Sequence, residues 1–358
     1  MGTDNARLKF SFHMTNSFMG IHVRKSRASV ITTFRIFRRA SGLRSFAAAA
    51  CLLVLGCATA SFAEFSIVTA REGDTFSSLS AQYLNDPSWG PLIAEYNETE
   101  SLKPGQLVLI PSKIEKRGGL DFRGYQTVPV LSYHNFSLKE SSRMTVSRPM
   151  FEEQMRLLKE KEYRVVSVDR FFDFLEFKAP LPPRSVLITI DDGRRSAYDI
   201  AFPALKQHGF PATLFIYTDS LLEKRGKLSW DQLREMSREG MEIQCHAKSH
   251  ASLTHQGKKQ TFREYFANLE RELSLSKDLI HKQLNREVKY LAYPFGDCSP
   301  LVIEMARKLG YRGAFTAARG GNPFFAHPYR INRSMIFGDY TLAQFEKNLT
   351  TFQEDSLR

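Results

Sequence analysis

The chain has 358 residues, a formal net charge of +12 and 42% hydrophobic residues. That length and apolar content suit one large domain plus a small one, and exclude a disordered or collagen-like chain. Eight of the twelve net charges fall in residues 1–44, where Lys and Arg face only Asp4, so the remainder is mildly basic and a nucleic-acid-binding role loses its support.

Residues 1–63 read as a signal or anchor region. The basic stretch leads into Phe46-Ala-Ala-Ala-Ala-Cys-Leu-Leu-Val-Leu-Gly-Cys57 and then the small residues Ala58 to Ala63. A positive segment, a short apolar core and a small-residue ending describe a secretory signal. The apolar core is about ten residues, short of the ~20 a spanning helix needs, so a signal is preferred to a retained anchor. Either way the positive-inside rule puts everything after residue 63 outside the cytoplasm, in the periplasm or cell envelope. Val54-Leu55-Gly56-Cys57 also resembles a bacterial lipoprotein signal with Cys57 as the lipidated residue. Cleavage after Ala63 and lipidation at Cys57 are both open, and membrane contact is expected only through this region. Met14 and Met19 are alternative starts. Beyond Cys51 and Cys57 only Cys245 and Cys298 remain, too few for a disulfide scaffold. A bridge between them is open if their strands are neighbours, and two free thiols are the expectation.

Residues 65–112 form a compact unit. A short strand from Phe65 runs into Gly73-Asp74-Thr75, where Asp74 or Thr75 can cap the helix that follows. Leu79 and Tyr83, four apart, are expected on one face of that helix. A second short helix ends near Asn97, and Pro104-Gly105-Gln106 leads to a strand closed by Ile110-Pro111. Over its whole length this unit resembles a LysM domain. The resemblance implies a βααβ fold that binds N-acetylglucosamine chains, chiefly peptidoglycan, with Gly73, Asp74, Thr75 and Asn97 as its glycan-binding residues. Residues 113–126 are polar and Gly-containing and read as a linker.

From residue 127 to 352, strand-like and helix-like segments alternate. Strands are expected at Val128–Tyr133, Arg164–Val168, Ser185–Ile190, Ala212–Tyr217, Met241–Cys245, Val288–Tyr293, Gly313–Thr316 and Tyr329–Ile336. Helices are expected at Pro149–Glu162, Asp169–Phe177, Arg195–His208, Trp230–Glu239, 261–284, Leu301–Leu309 and Thr341–Thr351. About eight such units argue an α/β fold with a closed, distorted (β/α) barrel, and chemistry on the loops after the C-terminal ends of its strands.

Three motifs meet that rule. The apolar run Val186 to Ile190 ends in Asp191-Asp192-Gly193. Two adjacent carboxylates at the mouth of a buried strand repel, and a cation or a raised pKa must settle the conflict. His246 and His250 follow another strand; on one helical turn they would lie on one face and suit one metal. Tyr293-Pro294-Phe295-Gly296 follows a third.

Together these motifs resemble a polysaccharide deacetylase of the carbohydrate esterase type, with the chitooligosaccharide deacetylase homology domain. Pro129-Val-Leu-Ser-Tyr-His134 and Pro211-Ala-Thr-Leu-Phe-Ile216 support the match. The resemblance implies that Asp192, His246 and His250 hold one divalent first-row metal, most simply Zn²⁺. It makes Asp191 the base, and the Phe295 backbone N–H a stabiliser of the oxyanion within Tyr293 to Gly296. The reaction implied is removal of acetate from N-acetylglucosamine units of a cell-wall or exopolysaccharide glycan. Two departures stand out. Ala292 occupies the place of an Arg that orients the catalytic Asp, and no His follows His327 to serve as general acid. Arg333 is the candidate to supply the missing charge and His134 the candidate histidine, whereas His327 should lie on the opposite rim. The alternative is a non-catalytic glycan-binding protein with a degenerate domain; the four intact residues weigh against it. A metal-dependent peptidase lacks any H-E-x-x-H pattern.

Overall fold

The computed structural model describes residues 65–112, 117–121, 124–222 and 226–355. The signal, lipidation and start-site expectations, and part of the linker, lie outside these residues. Among the described residues no helix is long and apolar enough to cross a membrane.

Residues 65–112 form a βααβ unit. Strands β1 (Phe65–Thr69) and β2 (Leu107–Pro111) pair antiparallel, with Ile67 opposite Leu109. The helices Phe76–Leu84 and Gly90–Tyr96 lie between them in sequence, and the core is Ala70, Phe76, Leu79, Ile93, Val108 and Ile110. Thr75 caps the first helix: its hydroxyl accepts from Ser78 N–H at 3.0 Å, while Ser78 Oγ accepts from Thr75 N–H at 2.9 Å. Gly73 turns at φ +85°, and the Asp74 carboxylate accepts from Arg71 N–H at 2.7 Å. The Asn97 amide clips the second helix to β2, donating to Ile93 and Leu109 carbonyls at 2.7 and 2.8 Å and accepting from Leu109 N–H at 2.7 Å. Local structure alone therefore accounts for these four residue types. Tyr83 does not join Leu79; it is 42% exposed, because the small core closes around Phe76, Leu79 and Ile93 without it.

The larger domain is built on parallel strands. In spatial order they are β3 (Gly124–Tyr133), β4 (Ser185–Asp191), β5 (Thr213–Ile216), β6 (Glu242–Cys245), β7 (Tyr290–Ala292) and β8 (Gly313–Phe315). Two short strands follow in sequence. Gly321–Pro323 (β9) runs antiparallel to β3, and Ser334–Met335 (β10) runs parallel to it with Ser334 opposite Leu131. A parallel bridge joins Ile331 to Phe315 of β8, so residues 331–335 connect the two ends of the sheet and curl it into a barrel. A last strand, β11 (Phe352–Glu354), pairs antiparallel with the start of β3.

The barrel has fewer regular units than the alternation predicts. The strand expected over Arg164–Val168 shrinks to Arg164–Val165, which pairs only with Ser185 and Val186. The strand expected over Tyr329–Ile336 is regular only at Ser334–Met335, because Asn322 takes its backbone bonds: Asn332 N–H donates to Asn322 Oδ1 at 2.8 Å and Asn322 Nδ2 donates to Asn332 O at 3.0 Å. The helix expected over Arg195–His208 is regular only at Phe202–His208; a wider turn covers Ala197–Ala201, since Pro203 cannot donate a backbone bond. The helix expected over Thr341–Thr351 ends at Glu346.

Strand β4 is buried at every residue, as a strand covered on both faces should be. Its alternation has a consequence for the site. Val186, Ile188 and Ile190 pack with one core, and Leu187 joins a second with Val130, Phe215, Tyr290, Phe315 and Ile331. Period-two alternation puts Thr189 and Asp191 on the Leu187 side, so Asp191 points inward at the mouth of the barrel.

Candidate active site

The strand ends bring the motifs together. Asp191 closes β4, His246 follows β6, Tyr293 follows β7, and His134 follows β3. The backbone is unusual here: Asp192, Ala247, His250 and Phe295 all have φ between 61° and 75°. Non-glycine residues in that region cost free energy and cluster at functional sites. His246 and His250 are not on a helical turn. They flank an irregular loop in which Ala247 and His250 are left-handed, and this loop, not helical spacing, brings their rings to 4.8 Å.

Asp192, His246 and His250 each offer a ligand atom, and these atoms lie within 4.8 Å of one another. Asp192 Oδ1 lies 3.5 Å from His250 Nε2 and 3.9 Å from His246 Nε2. His246 Nδ1 lies 2.7 Å from the Ala292 carbonyl, a bond that turns Nε2 toward the carboxylates. Such support from a backbone carbonyl is how ligating imidazoles are oriented. One carboxylate and two imidazoles suit a first-row metal such as Zn²⁺ and leave positions open; they do not suit Ca²⁺. The donor set therefore fits the group.

Asp191 is set apart from Asp192. It is 1% exposed, and Arg333 Nη1 donates to its Oδ1 at 2.8 Å. Arg333 is itself buried and is held by the Thr316 carbonyl, to which its Nε donates at 2.8 Å. The other oxygen, Oδ2, lies 3.9 Å from both His134 Nε2 and His246 Nε2. Burial pushes the Asp191 carboxyl up, but Arg333, then His246 and His134, outweigh it and hold it at about 2. Burial also pushes His134 and His246 below the usual histidine range, against the pull of Asp191.

The Tyr293 to Gly296 stretch divides. Tyr293 is fully buried, and its hydroxyl donates to the Tyr329 carbonyl at 3.1 Å. Tyr133 is also buried, with its hydroxyl on Gln154 at 2.9 Å. Neither ring can stack on a sugar. Pro294 is buried too, while Phe295 is 64% exposed with its ring 4.8 Å from that of His250. Gly296 is required for space: a Cβ there would lie 2.4 Å from Ala317 N. Ala292 carries no charge to the site; its carbonyl serves His246.

His327 is held away from the rim. Its Nδ1 accepts from Tyr329 N–H at 3.1 Å, and the Pro328 carbonyl accepts from Ala314 N–H near the start of β8. Cys245 and Cys298 are both free, and Cys245 is buried against Ser276. Two residues at the site carry no motif. Tyr217 follows β5 with its ring 5.0 Å from His250, and Arg194 Nε lies 3.5 Å from Asp192 Oδ2. The strand-end rule applied to β5 would have found Tyr217.

The fold and the rim define an α/β-barrel enzyme domain whose mouth holds a carboxylate–imidazole cluster able to take a metal. Residues 178–314 match the family model for polysaccharide deacetylase. Poly-beta-1,6-N-acetyl-D-glucosamine N-deacetylase of Staphylococcus aureus is 27% identical over 212 residues, covering 58% of this chain and 73% of that one. Among solved structures, the polysaccharide deacetylase BC0361 of Bacillus cereus is 25% identical, with a TM-score of 0.54 over 69% of this chain and 72% of that one. The Streptococcus pyogenes deacetylase PplD, solved with acetate, shares the fold at 24% identity, with a TM-score of 0.57 over 63% of this chain and 98% of that one. These matches support a polysaccharide deacetylase domain in this chain.

Proposed function

We propose that the chain is an exported, metal-dependent N-deacetylase of N-acetylglucosamine-containing polysaccharide, held at its substrate by a LysM domain over residues 65–112. The observation that carries the reading is the pairing of two differently placed aspartates: Asp191, buried on Arg333, beside Asp192, which faces His246 and His250. The relatives' named activity on a polymer of N-acetylglucosamine supports the substrate class.

Asp192, His246 and His250 would hold the metal. When bound, such an ion polarises an acetamide carbonyl and makes water a nucleophile at neutral pH. The chain's own groups do the rest. Arg333 keeps Asp191 ionised and fixes its Oδ1, leaving Oδ2 toward His134 and His246 to accept a proton from the attacking water. The exposed Phe295 ring offers a face for a sugar, and its backbone N–H, by family resemblance, steadies the oxyanion. Burial favours the neutral form of His134, against the pull of Asp191, which suits a hydrogen-bonding role beside that carboxylate.

Acetate release from peptidoglycan, chitin oligomers and poly-N-acetylglucosamine, with and without chelator, tests the reading. Release from at least one, abolished by chelator and restored by Zn²⁺, is expected. No acetate from any of the three by metal-loaded protein would overturn it.

A further inference from the structure

Beside the His246–His250 loop, two cavities of about 390 and 610 Å³ share Gln260, Asn268 and Arg271, and so join into one trough between residues 251–260 and the helix Phe262–Leu284. The near end is lined by Lys248, Ala251 and Ser252, within two residues of His250, and the far end by Lys258 and Lys259.

The charges along the trough are unevenly satisfied. Its carboxylates are committed internally. Glu272 accepts from Lys248 N–H, Ser249 N–H and the Ser249 hydroxyl at 3.1, 2.9 and 2.8 Å. Glu264 accepts from the Thr261 N–H and hydroxyl at 2.8 and 2.9 Å. Lys248 is paired with Asp219 at 2.8 Å. Lys258, Lys259 and Arg271 are exposed and, among the described residues, have no carboxylate partner; Arg271 donates only to the neutral Asn268 amide. Elsewhere on this domain some exposed cations are paired, as Arg148 with Glu152, Lys206 with Glu239 and Lys308 with Glu270, and others, such as Arg170 and Lys347, have no carboxylate partner among the described residues; the trough differs in being lined by three of the second kind together. Lys248 is balanced by Asp219, and Lys258, Lys259 and Arg271 outnumber Glu264 and Glu272, whose bonds go to neutral donors and leave their charges in place, so the lining, which begins within two residues of His250, is net positive and attracts anions.

We propose that this trough binds a carboxylate-bearing segment of the glycan while a neighbouring N-acetylglucosamine unit lies at Asp192, His246 and His250. The proposal rests on the deacetylase reading of that site and narrows its substrate to acid-bearing glycans. The amides of Gln260 and Asn268 stand among the cations as donors and acceptors for sugar hydroxyls.

The test uses the full chain and two fluorescently labelled probes of equal length. One is a neutral N-acetylglucosamine hexamer; the other alternates N-acetylglucosamine with N-acetylmuramic acid, whose lactyl groups carry carboxylates. Binding is read by fluorescence anisotropy at low and high salt. The triple variant Lys258→Glu, Lys259→Glu, Arg271→Glu should weaken the acidic probe about tenfold, since each exposed charge contributes modestly, and leave the neutral one unchanged. The wild-type preference for the acidic probe should shrink with salt, and the charge-keeping variant Lys258→Arg, Lys259→Arg, Arg271→Lys should retain it. No binding of the acidic probe, no effect of charge reversal, or an equal effect on both probes would overturn the proposal. Acetate release measured alongside separates the two ideas. Trough-dependent binding without acetate sinks the deacetylase reading alone; acetate release with charge reversal lacking effect sinks the trough alone.

Discussion

The two rims of the barrel carry similar side chains and treat them in opposite ways. On the rim of strand starts, Asp169 accepts from Lys289 Nζ at 2.6 Å to each oxygen and from the Tyr290 hydroxyl at 2.5 Å. Arg312 there donates to Asp173 at 2.6 Å and to Glu176 at 2.8 and 2.9 Å. Each of these groups meets its partner at hydrogen-bond distance. Within the carboxylate–imidazole cluster on the rim of strand ends, Asp191 and Arg333 do so, but His134, His246 and His250 stand 3.5–3.9 Å from the carboxylates they face. That spacing is too long for direct hydrogen bonds and leaves lone pairs aimed at shared points. A set of side chains that stabilises the fold closes on itself, and a set that receives a ligand holds its donors apart.

Substitutions can break this contrast. The largest effects belong to the strand-end rim. His246→Ala should remove Zn²⁺ binding and lower acetate release by roughly 10³-fold or more, while the melting temperature of the metal-free protein changes little. A metal-free protein that melts far lower would make His246 structural.

Arg333→Met should strike both stability and pH dependence. It leaves Asp191 buried without its partner, at a cost of about 3–5 kcal/mol in denaturant unfolding. The folded-state pKa of Asp191, about 2, lies below its unfolded value. Its contribution to stability is therefore fully present above the unfolded value near pH 3.9 and lost as pH falls through about 2. Without Arg333, burial dominates and the pKa rises, so the acid limb of acetate release should move up by about 1–3 pH units. An unmoved limb would show that Arg333 does not set the base.

Those two predictions also mark what was legible in the sequence. The strand-end rule and the Asp191-Asp192, His246, His250 and Phe295 motifs can be read because each sits in a short local pattern. The Arg333–Asp191 contact joins residues 142 apart, and sequence could offer it only as a candidate. The alternation predicts a closed barrel but not how it closes: of the strand expected over Tyr329–Ile336 only Ser334–Met335 is regular, because Asn332 spends its backbone bonds on the Asn322 side chain. The motif does not show which of its rings is accessible: Tyr293, on the apolar side of β7, is buried, and Phe295, turned out by a left-handed φ, reaches solvent.

The strand-start rim should respond more weakly and without chemistry. Arg312→Met should cost about 1–2 kcal/mol, since its partners are partly exposed, and leave Zn²⁺ affinity unchanged. A change in metal affinity would couple the rims.

The smallest effect concerns Glu242 at the start of β6. Burial first, then Asp169, pushes it up to about 7 against Lys289. A carboxyl raised on folding favours its proton, so its penalty on stability appears as pH climbs past its unfolded value and is complete above about 7. Glu242→Gln should therefore stabilise by about 1 kcal/mol at pH 8 and not at pH 4, read as a pH-dependent gain in melting temperature. An equal gain at both values would remove the titration from the account.

The division of labour between the two aspartates is tested most directly by Zn²⁺ titration calorimetry paired with acetate release on Asp191→Asn and Asp192→Asn. Asp191→Asn should bind Zn²⁺ as the wild type does and release no acetate, and Asp192→Asn should lose the metal. Zn²⁺ affinity lost in Asp191→Asn and kept in Asp192→Asn would contradict the assignment.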